Sequence, residues 1–357
     1  MLKTITRMLI IPCMAGMLSG CWDNKDINHR SLPITMGVSM VGETYKVILL
    51  IPEPVERTTK VRIVYGIGKT ITEAVDHISR DMESDIDMLH MKVVVFDKPS
   101  AEKGMTDSIS GFMRARDISP KAVVVICDED IDHFFKRTKQ TMEPSGTTLY
   151  NYFEKNAGWS PEVALTRIWQ VYRSIYSFTR DVAIPVVKSG NDTMMQHLGS
   201  AIIKNGRMVG QISSEETLLF NAFNGESAHG KIEVMQHSSV LIVSNTMSHE
   251  SKVVNNQMYM TSRINLNVSI LETSSHVTND SIKKELDSTL TDRCNALLAK
   301  IQSSEADILG LGQFFRNKIP RAELKNWRTE YLPRLKMDFS VRTVIQNEGN
   351  LKTPRRK

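Results

Sequence analysis

Helical and strand patterns alternate along the first half of the chain. Continuous apolar runs at residues 91–96 and 122–126 are typical of strands that are covered on both faces. Apolar residues also repeat at helical spacing in four segments, which are residues 70–82, 103–114, 130–138 and 161–177. Thr70 and Glu73 form a capping box at the start of the first helix. This alternation of helices and short apolar strands predicts an α/β domain.

Two further strands are predicted nearer the start of the chain. Residues 38–40 and 45–51 are rich in apolar side chains, and a turn at Gly42 separates them. Pro52 and Pro54 are expected to end the second strand, because proline cannot donate a hydrogen bond to a sheet.

The pattern changes after the polar segment at residues 188–192. Asn205-Gly206 between two apolar runs indicates a type I′ hairpin, and Ser213 with Glu216 caps a short helix. Further strands are predicted at residues 232–243, 252–271 and 335–345, a long helix at residues 280–302 and a shorter helical segment at residues 307–317. This half is predicted to be an α+β region with an antiparallel sheet and a long helix.

The whole pattern predicts a multi-domain α+β protein. Residues 1–20 are assigned to a signal peptide, and residues 21–190 to an N-terminal α/β domain with a mixed sheet. Residues 191–357 are assigned to the C-terminal α+β region, which a break near residues 230–250 would divide into two subdomains.

The N-terminus has the features of a bacterial lipoprotein signal. Lys3 and Arg7 form a positively charged segment before an apolar run at residues 8–18. This run is shorter than the roughly 20 apolar residues that span a bilayer, which favours a cleaved signal. It ends in Leu18-Ser19-Gly20-Cys21, a lipobox that directs lipidation of the cysteine and cleavage just before it. The alternative is an ordinary signal peptide followed by a cysteine by chance.

Lipidation of Cys21 would make it the first residue of the mature protein. Several acyl chains such as palmitate, at about 0.8 kcal/mol per buried CH₂ group, would hold a folded domain on a membrane durably. The sequence therefore predicts an extracytoplasmic lipoprotein that is attached to a membrane through Cys21.

The charge balance argues against a nucleic-acid-binding protein. The chain has 45 basic and 40 acidic side chains. Removal of residues 1–20 takes away two basic and no acidic side chains, which lowers the net charge from +5 to +3. This charge is too small to indicate a nucleic-acid partner.

The four cysteines have separate predicted fates. Cys13 leaves with the signal peptide and Cys21 is the lipidation site. Cys127 ends an apolar strand, and Cys294 lies in a helical pattern. A Cys127–Cys294 disulfide is possible outside the cytoplasm, but two separate buried thiols are the favoured interpretation.

Two ligand-binding motifs are present only in part. Gly66-Ile67-Gly68-Lys69-Thr70 resembles the end of a P-loop, but Ile63 occupies the position of the first glycine. Asp128, Asp130 and Asp132 have the spacing of a calcium loop, but lysine occupies the twelfth position instead of glutamate. We therefore predict neither a nucleotide cofactor nor a metal site.

Catalytic motifs are also incomplete. Ser281 and Lys284 have the spacing of an acyl-enzyme pair without its companion motifs. His249-Glu250 lacks the second histidine of a zincin. No set of nucleophile, base and oxyanion donors emerges, so the sequence predicts a protein that is not an enzyme.

A series of short motifs, in order along the chain, resembles the Ger(x)C family. These motifs are Gly20-Cys21-Trp22-Asp23, His90-Met91-Lys92-Val93-Val94-Val95, Gly199-Ser200-Ala201-Ile202-Ile203-Lys204, Met208-Val209-Gly210, Asp307-Ile308-Leu309-Gly310-Leu311-Gly312 and Trp327. One departure is Leu89, which stands where the family has a glycine before its His-Leu-Lys-Val strand.

The resemblance implies a function in spore germination. Members of this family are lipoprotein C subunits of nutrient germinant receptors in spore-forming bacteria. The resemblance implies a lipid-anchored, non-enzymatic subunit on the outer face of the spore inner membrane, with the receptor A and B subunits as partners. It transfers no catalytic residue, and among these positions only Cys21 carries an assigned role.

The resulting hypothesis is a subunit for assembly and signal coupling in a germinant receptor. A substrate-binding lipoprotein of a transporter is the alternative, since it would have the same lipobox and a similar size. A secreted cell-wall enzyme is a third class. Both halves of a transporter lipoprotein would be similar α/β lobes, whereas the second half of this chain is rich in strands.

Overall fold

The computed structural model describes residues 30–55, 58–115, 117–141, 149–153, 161–226, 228–274 and 277–347. The first part of the chain contains strands β1 (Arg30–Ser31), β2 (Thr35–Val41), β3 (Thr44–Val55), β4 (Thr58–Gly68), β5 (Asp85–Ile86), β6 (Val93–Asp97), β7 (Val123–Cys127), β8 (Val182–Ser189), β9 (Met195–Lys204) and β10 (Arg207–Ile212). Its helices are α1 (Ile71–Arg80), α2 (Lys98–Lys103), α3 (Thr106–Arg114), α4 (Ile131–Thr141) and α5 (Ile168–Ile175), with a 3₁₀ turn at Met88–His90.

Eight of these strands form one mixed sheet in the order β10-β9-β8-β7-β6-β2-β3-β4. The four central strands β8, β7, β6 and β2 are parallel, and antiparallel strands extend the sheet at both ends. Strands β1 and β5 form a separate parallel pair. Ile78, Ile109 and Val171 of α1, α3 and α5 join the core on one face. Phe134 and Phe135 of α4 join the core on the other. The predicted α/β arrangement on a mixed sheet is confirmed.

Strand β3 corrects the prediction that Pro52 and Pro54 end it. Beyond Leu50 the neighbouring strand β2 has ended, and β3 continues to Val55 while paired only with β4. The prolines therefore lie where one edge of the strand has no neighbour, which is where a missing N–H is tolerated in a sheet. The prediction of a stop at Pro52 was wrong.

Two predicted helices differ in extent. Residues 103–114 belong to two helices, α2 and α3, because Gly104 between them has φ +130°. The segment predicted as helix from residue 161 becomes helical only at Ile168. Before that point its backbone pairs with β7, since Val124 N donates to Thr166 O at 2.8 Å. Tertiary pairing therefore overrides the helical pattern there.

The second part of the chain is built on a four-stranded sheet in the order β11-β12-β13-β14. Its elements are α6 (Ser214–Phe223), β11 (Ile232–Val234), β12 (Ser238–Val254), β13 (Gln257–Thr273), α7 (Asn279–Ser304) and β14 (Lys336–Asn347). Between α7 and β14 lie 3₁₀ turns at Leu311–Phe315, Arg321–Asn326 and Leu332–Arg334 and a π-helical turn at Trp327–Tyr331. Strands β11, β12 and β13 are antiparallel, whereas β14 joins β13 in parallel after the α7 crossover.

Local signals for turns and caps are confirmed in both parts. Asn205 and Gly206 have φ +51° and +76°, as a type I′ hairpin requires. Ser213 Oγ accepts from Glu216 N at 3.2 Å, and the Glu216 carboxylate accepts from Ser213 N at 2.8 Å. At α1 Thr70 Oγ1 accepts from Glu73 N, as an N-cap does, but the Glu73 carboxylate accepts from Lys69 N at 2.6 Å instead of from Thr70 N. The predicted N-cap at Thr70 is confirmed, and the predicted capping box is only half formed.

The second part of the chain has its own buried cluster, here called the second core, and this cluster extends onto the eight-stranded first sheet. Ala183 of β8, Ile202 of β9 and Ile212 of β10 belong to the same buried cluster as Leu286 and Leu297 of α7. The boundary predicted at residues 190 and 191 lies between β8 and β9, two strands of one sheet. The division of the chain into domains stays a prediction.

Both described cysteines are buried free thiols, as the favoured interpretation expected. Cys127 ends β7 and Cys294 lies within α7, in two different cores. Burial raises the pKa of each thiol to about 12, which makes both poor nucleophiles at neutral pH.

Candidate functional site

A buried ion pair joins the start of β8 to the segment that follows α7. Arg328 Nε donates to Asp181 Oδ2 at 2.8 Å, and Arg328 Nη2 donates to Asp181 Oδ1 at 2.8 Å. Their side chains are only 8% and 0% exposed. Arg328 Nη2 also donates to Ser177 O at 2.6 Å. This bidentate geometry fixes the orientation of the guanidinium as well as its position.

Asp307 extends this ion pair into a larger buried network with Asp181, Trp327 and Arg328, which we call the junction. Its Oδ1 accepts from Leu311 N at 2.7 Å. Its Oδ2 accepts from Gly312 N at 2.7 Å and from the indole of Trp327 at 2.8 Å. Asp307 N in turn donates to Asp181 Oδ2 at 2.8 Å, and Asp181 N donates to Asp307 O at 2.7 Å. The two aspartates therefore lock three separate segments together.

The glycines of the Asp-Ile-Leu-Gly-Leu-Gly motif are required by close approaches in this junction. A Cβ at Gly312 would lie 2.7 Å from the Trp327 ring. Gly310 has φ +68°, and a Cβ there would lie 2.6 Å from Arg180 Nε. A larger residue at Gly312 would displace Trp327, which donates to Asp307, and one at Gly310 would displace Arg180.

Burial dominates the electrostatics of the junction. It raises the pKa of Asp307 to about 6, and the nearby charge of Asp181 acts in the same direction. Burial also raises the pKa of Asp181, although its hydrogen bonds and charge interaction with Arg328 oppose this shift. A buried pair of this kind adds geometric specificity, and removal of either partner leaves an uncompensated charge.

A second polar region lies at the carboxyl ends of β6 and β7, where ligands of α/β proteins commonly bind. It is a crevice of about 440 Å³ between the starts of α2 and α4. Lys98 Nζ pairs with Asp128 at 3.0 Å, and Lys46 pairs with Asp132. Ser39 Oγ donates to Asp97 at 2.7 Å. Both lysines that line the crevice are therefore paired, while its six acidic side chains leave it with a net negative charge.

The incomplete calcium motif lies in this crevice. Asp132 is committed to Lys46 and Asp128 to Lys98, whereas calcium needs six to eight oxygen ligands. Across the described ranges no three acidic, histidine or cysteine side chains are grouped as a metal site would require.

The partial P-loop motif has a packing role. Gly66 and Gly68 end strand β4, where helix α1 crosses it. A Cβ at Gly66 would lie 2.2 Å from Ala74 O, and one at Gly68 would lie 2.6 Å from Ala74 N. The two glycines therefore allow α1 to approach the sheet closely.

Two histidines lie beside serine hydroxyls. His197 Nδ1 is 3.2 Å from Ser214 Oγ, and His249 Nδ1 is 2.7 Å from Ser262 Oγ. Burial lowers the pKa of His197 to about 4, and its Nε2 atom is buried with no hydrogen-bond partner among the described residues. Neither histidine is hydrogen-bonded to a described carboxylate, so neither pair has the orienting acid of a catalytic triad.

The predicted lipidation site, Cys21, lies outside the described residues. The same holds for the whole Gly20-Cys21-Trp22-Asp23 motif and the signal peptide. Within the ranges that are described, no helix is both long and apolar enough to cross a membrane.

Comparison with known families decides the identity of the chain. A family model described as the spore germination protein N-terminal domain matches residues 23–189. A second model, described as spore germination B3/GerAC like, C-terminal, matches residues 198–349. The chain belongs to the GerAC-like spore germination family. The resemblance found in the sequence is therefore confirmed.

A solved crystal structure has a fold similar to that of this chain. The crystal structure of the GerBC protein superposes with a TM-score of 0.58 at 13% sequence identity. The match covers 87% of this chain and 97% of that chain. Comparison with curated protein sequences gives no match. The predicted multi-domain α+β fold is confirmed by this likeness.

The junction gathers the C-terminal motifs on which the resemblance to the GerAC-like family rested. Asp307, Gly312 and Trp327 contact one another there. Their partners Asp181 and Arg328 were missed by sequence reasoning. In the sequence, Asp181 is a single acid directly before the apolar run of β8, and Arg328 is a single arginine directly after Trp327. Neither position indicates that the two side chains form an ion pair.

Proposed function

We propose that this protein is the lipid-anchored C subunit of a nutrient germinant receptor on the outer face of the spore inner membrane. Its role would be assembly and signal coupling, without catalysis. The observation that carries the proposal is the ordered match of both family models across residues 23–349, directly after the lipobox at Cys21.

The buried junction supports a coupling role. Asp181 directly precedes strand β8 of the first sheet, whereas Asp307 and Arg328 belong to the segment between α7 and β14 that packs on the second core. Because packed interiors are stiff, a displacement of one part caused by a partner would be transmitted to the other part through these bonds. The proposed partners are the A and B subunits of the receptor, and the lipid on Cys21 would keep this subunit beside them.

The polar regions of the structure are consistent with a non-enzymatic role. In the crevice at the ends of β6 and β7 both lysines are committed to ion pairs, Lys46 with Asp132 and Lys98 with Asp128. The two Ser–His pairs lack an orienting carboxylate among the described residues. Within the described ranges we find no set of nucleophile, base and oxyanion donor from which a catalytic step can be derived.

Germination of spores that lack the gene tests the proposal. The null strain is complemented with the intact gene, with Cys21→Ala or with Cys127→Ala, a control that removes a buried thiol outside the lipobox. We expect null spores to fail with one nutrient but to respond to a receptor-independent trigger. The intact gene and Cys127→Ala should restore the nutrient response, while Cys21→Ala should restore little of it.

Fractionation of the same spores separates anchoring from coupling. The intact protein should partition with the inner membrane and co-purify with at least one other receptor subunit. Cys21→Ala should move to the soluble fraction. Normal germination of null spores with every nutrient, together with no recovery of another receptor subunit, would contradict the proposal.

A further inference from the structure

A cavity beside the junction collects arginines and aromatic rings. It has a volume of about 500 Å³. We call it the arginine cavity, and it is lined mainly by Tyr172, Arg173, Tyr176, Phe178, Arg180 and Arg316. None of the described residues that line it is acidic. It lies between helix α5 with the loop that follows it and the 3₁₀ turns after α7.

Arg180 is held in this cavity without a counter-ion. Its guanidinium lies against Gly310, where a Cβ would be 2.6 Å from Nε. Its Nε is buried with no hydrogen-bond partner, and Arg180 forms no ion pair among the residues that the structure describes. A buried guanidinium N–H without an acceptor is costly, so its presence calls for an explanation.

The other two arginines of the cavity, Arg173 and Arg316, are exposed, and neither pairs with a carboxylate of the residues that the structure describes. Arg173 stacks on the Trp169 ring, with Cζ 4.9 Å from the ring centroid. Arg316 has only the neutral Gln313 side chain, at 3.4 Å. Elsewhere in the protein, buried or half-buried arginines such as Arg328 and Arg293 pair with acids. The arginine cavity therefore concentrates positive charge that the described chain leaves uncompensated.

The environment of Arg173 agrees with this picture. Partial burial, and then the nearby charge of Arg180, lower the pKa of Arg173. Two guanidinium groups close together repel each other, and an anion between them would relieve this repulsion. Guanidinium groups also match the planar geometry of carboxylates and the oxygens of phosphates.

The walls of the cavity provide an apolar contact surface. Tyr176 is 64% exposed and Phe178 is 56% exposed. The rings of Tyr172 and Tyr176 lie 4.8 Å apart at the cavity edge. Exposed aromatic rings beside a charged group are typical of a binding site, in which polar groups fix orientation and apolar groups supply buried area.

We propose that the arginine cavity binds an organic anion, with its carboxylate or phosphate on Arg173 and Arg180 and its apolar portion against Tyr176 and Phe178. This proposal goes beyond the receptor role and does not depend on it. The cavity volume lies within the range of small-molecule sites, about 300–1,000 Å³.

Binding of small anions to the intact chain tests the proposal. The probes are phenylacetate and phenyl phosphate, which separate carboxylate from phosphate recognition, and phenylacetamide as the neutral matched compound. Binding is followed by calorimetry and by the fluorescence of Trp169, which contacts Arg173. We expect at least one anion to bind and the amide to bind at least about ten-fold more weakly, as loss of a charged hydrogen bond predicts.

Variants assign the binding to the cavity. Arg180→Met and Arg173→Met should each weaken binding of the anion by about ten-fold or more. Arg80→Met is the matched control, because Arg80 is an exposed arginine on α1 that pairs with Asp76. Trp169→Phe should remove the fluorescence change and leave the heat of binding.

The proposal would be overturned by any of three results. These are no binding of either anion, equal binding of phenylacetamide, or anion binding that Arg173→Met leaves unchanged. Arg173 lies on the exposed side of α5, so we expect Arg173→Met to fold. This variant therefore tests the proposal even if Arg180→Met does not fold. Circular dichroism of each variant checks the fold.

Discussion

The Asp181–Arg328 pair illustrates how a buried charge depends on its partner. Asp181 is fully buried, and both of its oxygens accept from Arg328. With the pair intact, the desolvation cost of each ion is offset by two short charged hydrogen bonds. Loss of one partner leaves the other charge without compensation in the interior.

Arg328→Met should therefore destabilise the protein by about 3–5 kcal/mol. The free energy of unfolding is measured by urea denaturation at neutral pH. Arg263→Met is the control, because Arg263 forms an exposed pair with Glu250 and exposed pairs contribute at most about 1 kcal/mol. Equal effects of the two substitutions would contradict the role assigned to the junction.

The titration of Asp307 gives a prediction of pH dependence. Burial raises its pKa from 3.8 to about 6, so the folded protein holds this proton more tightly than the unfolded chain does. Between about pH 4 and pH 6 the native state binds more protons at this group, and stability from Asp307 falls as pH rises through that window. At about 1.4 kcal/mol per pKa unit, the loss amounts to roughly 3 kcal/mol.

A comparison with Asp307→Asn isolates this contribution. Unfolding free energies of both proteins are measured between pH 4 and pH 7, and the stability of the variant is subtracted from that of the wild type at each pH. The difference should decrease by roughly 2.5 kcal/mol on going from pH 4 to pH 7, because part of the loss already occurs below pH 4. Groups distant from Asp307 cancel in this difference, whereas Asp181, which interacts with Asp307, also contributes to it. A difference that is independent of pH would contradict the raised pKa of Asp307.

At the scale of elements, replacement of glycine by alanine is expected to have opposite effects on stability at Gly66 and Gly111. A Cβ at Gly66 would lie 2.2 Å from the backbone oxygen of Ala74, so Gly66→Ala must push α1 away from β4. The expected cost is about 2 kcal/mol. Gly111 lies within helix α3 and a Cβ there meets nothing within 4 Å, so Gly111→Ala should stabilise the protein by about 0.5–1 kcal/mol.

Thermal and urea unfolding of the two alanine variants check this pair. The variants share the same chemical change, so the opposite signs report the packing of each position. A stabilising Gly66→Ala would contradict the close approach of α1 to β4. A destabilising Gly111→Ala would contradict the open position within α3.

Elements were predictable from the sequence where their cause is local. The cap at Ser213, the hairpin at Asn205-Gly206 and the long helix α7 depend on residues within a few positions of one another. The continuation of β3 past Pro52 depends on where the distant strand β2 ends. The non-helical segment before Ile168 depends on pairing with β7. Neither cause is visible in the local pattern.

At the scale of the molecule, the junction shows what sequence patterns leave out. Asp307, Gly312 and Trp327 were recognised as motif positions, but Asp181 and Arg328 are 147 residues apart and carry no shared pattern. A local pattern reports which face of an element is apolar. It does not report which two polar residues the fold brings together, so the ion pair and the arginine cavity required the structure.

The integrity of the first sheet depends on strands beyond the boundary predicted at residue 190. Strand β8 pairs with β7 through Val186 and Val187, near its carboxyl end. It pairs with β9 along almost its whole length, from Val182–Ile203 to Ser189–Met195. Removal of β9 therefore takes away most of the hydrogen bonds that hold β8 in the sheet.

We expect a fragment of residues 21–213 to fold better than one of residues 21–190. The longer fragment keeps β9 and β10, and with them the cover that Ile203 and Met208 give to the first core. Far-ultraviolet circular dichroism and urea denaturation compare the two, and the longer fragment should show a cooperative transition at a higher urea concentration. Equal stability of the fragments would mean that β8 is held by β7 alone and that the first part ends where the sequence pattern changes.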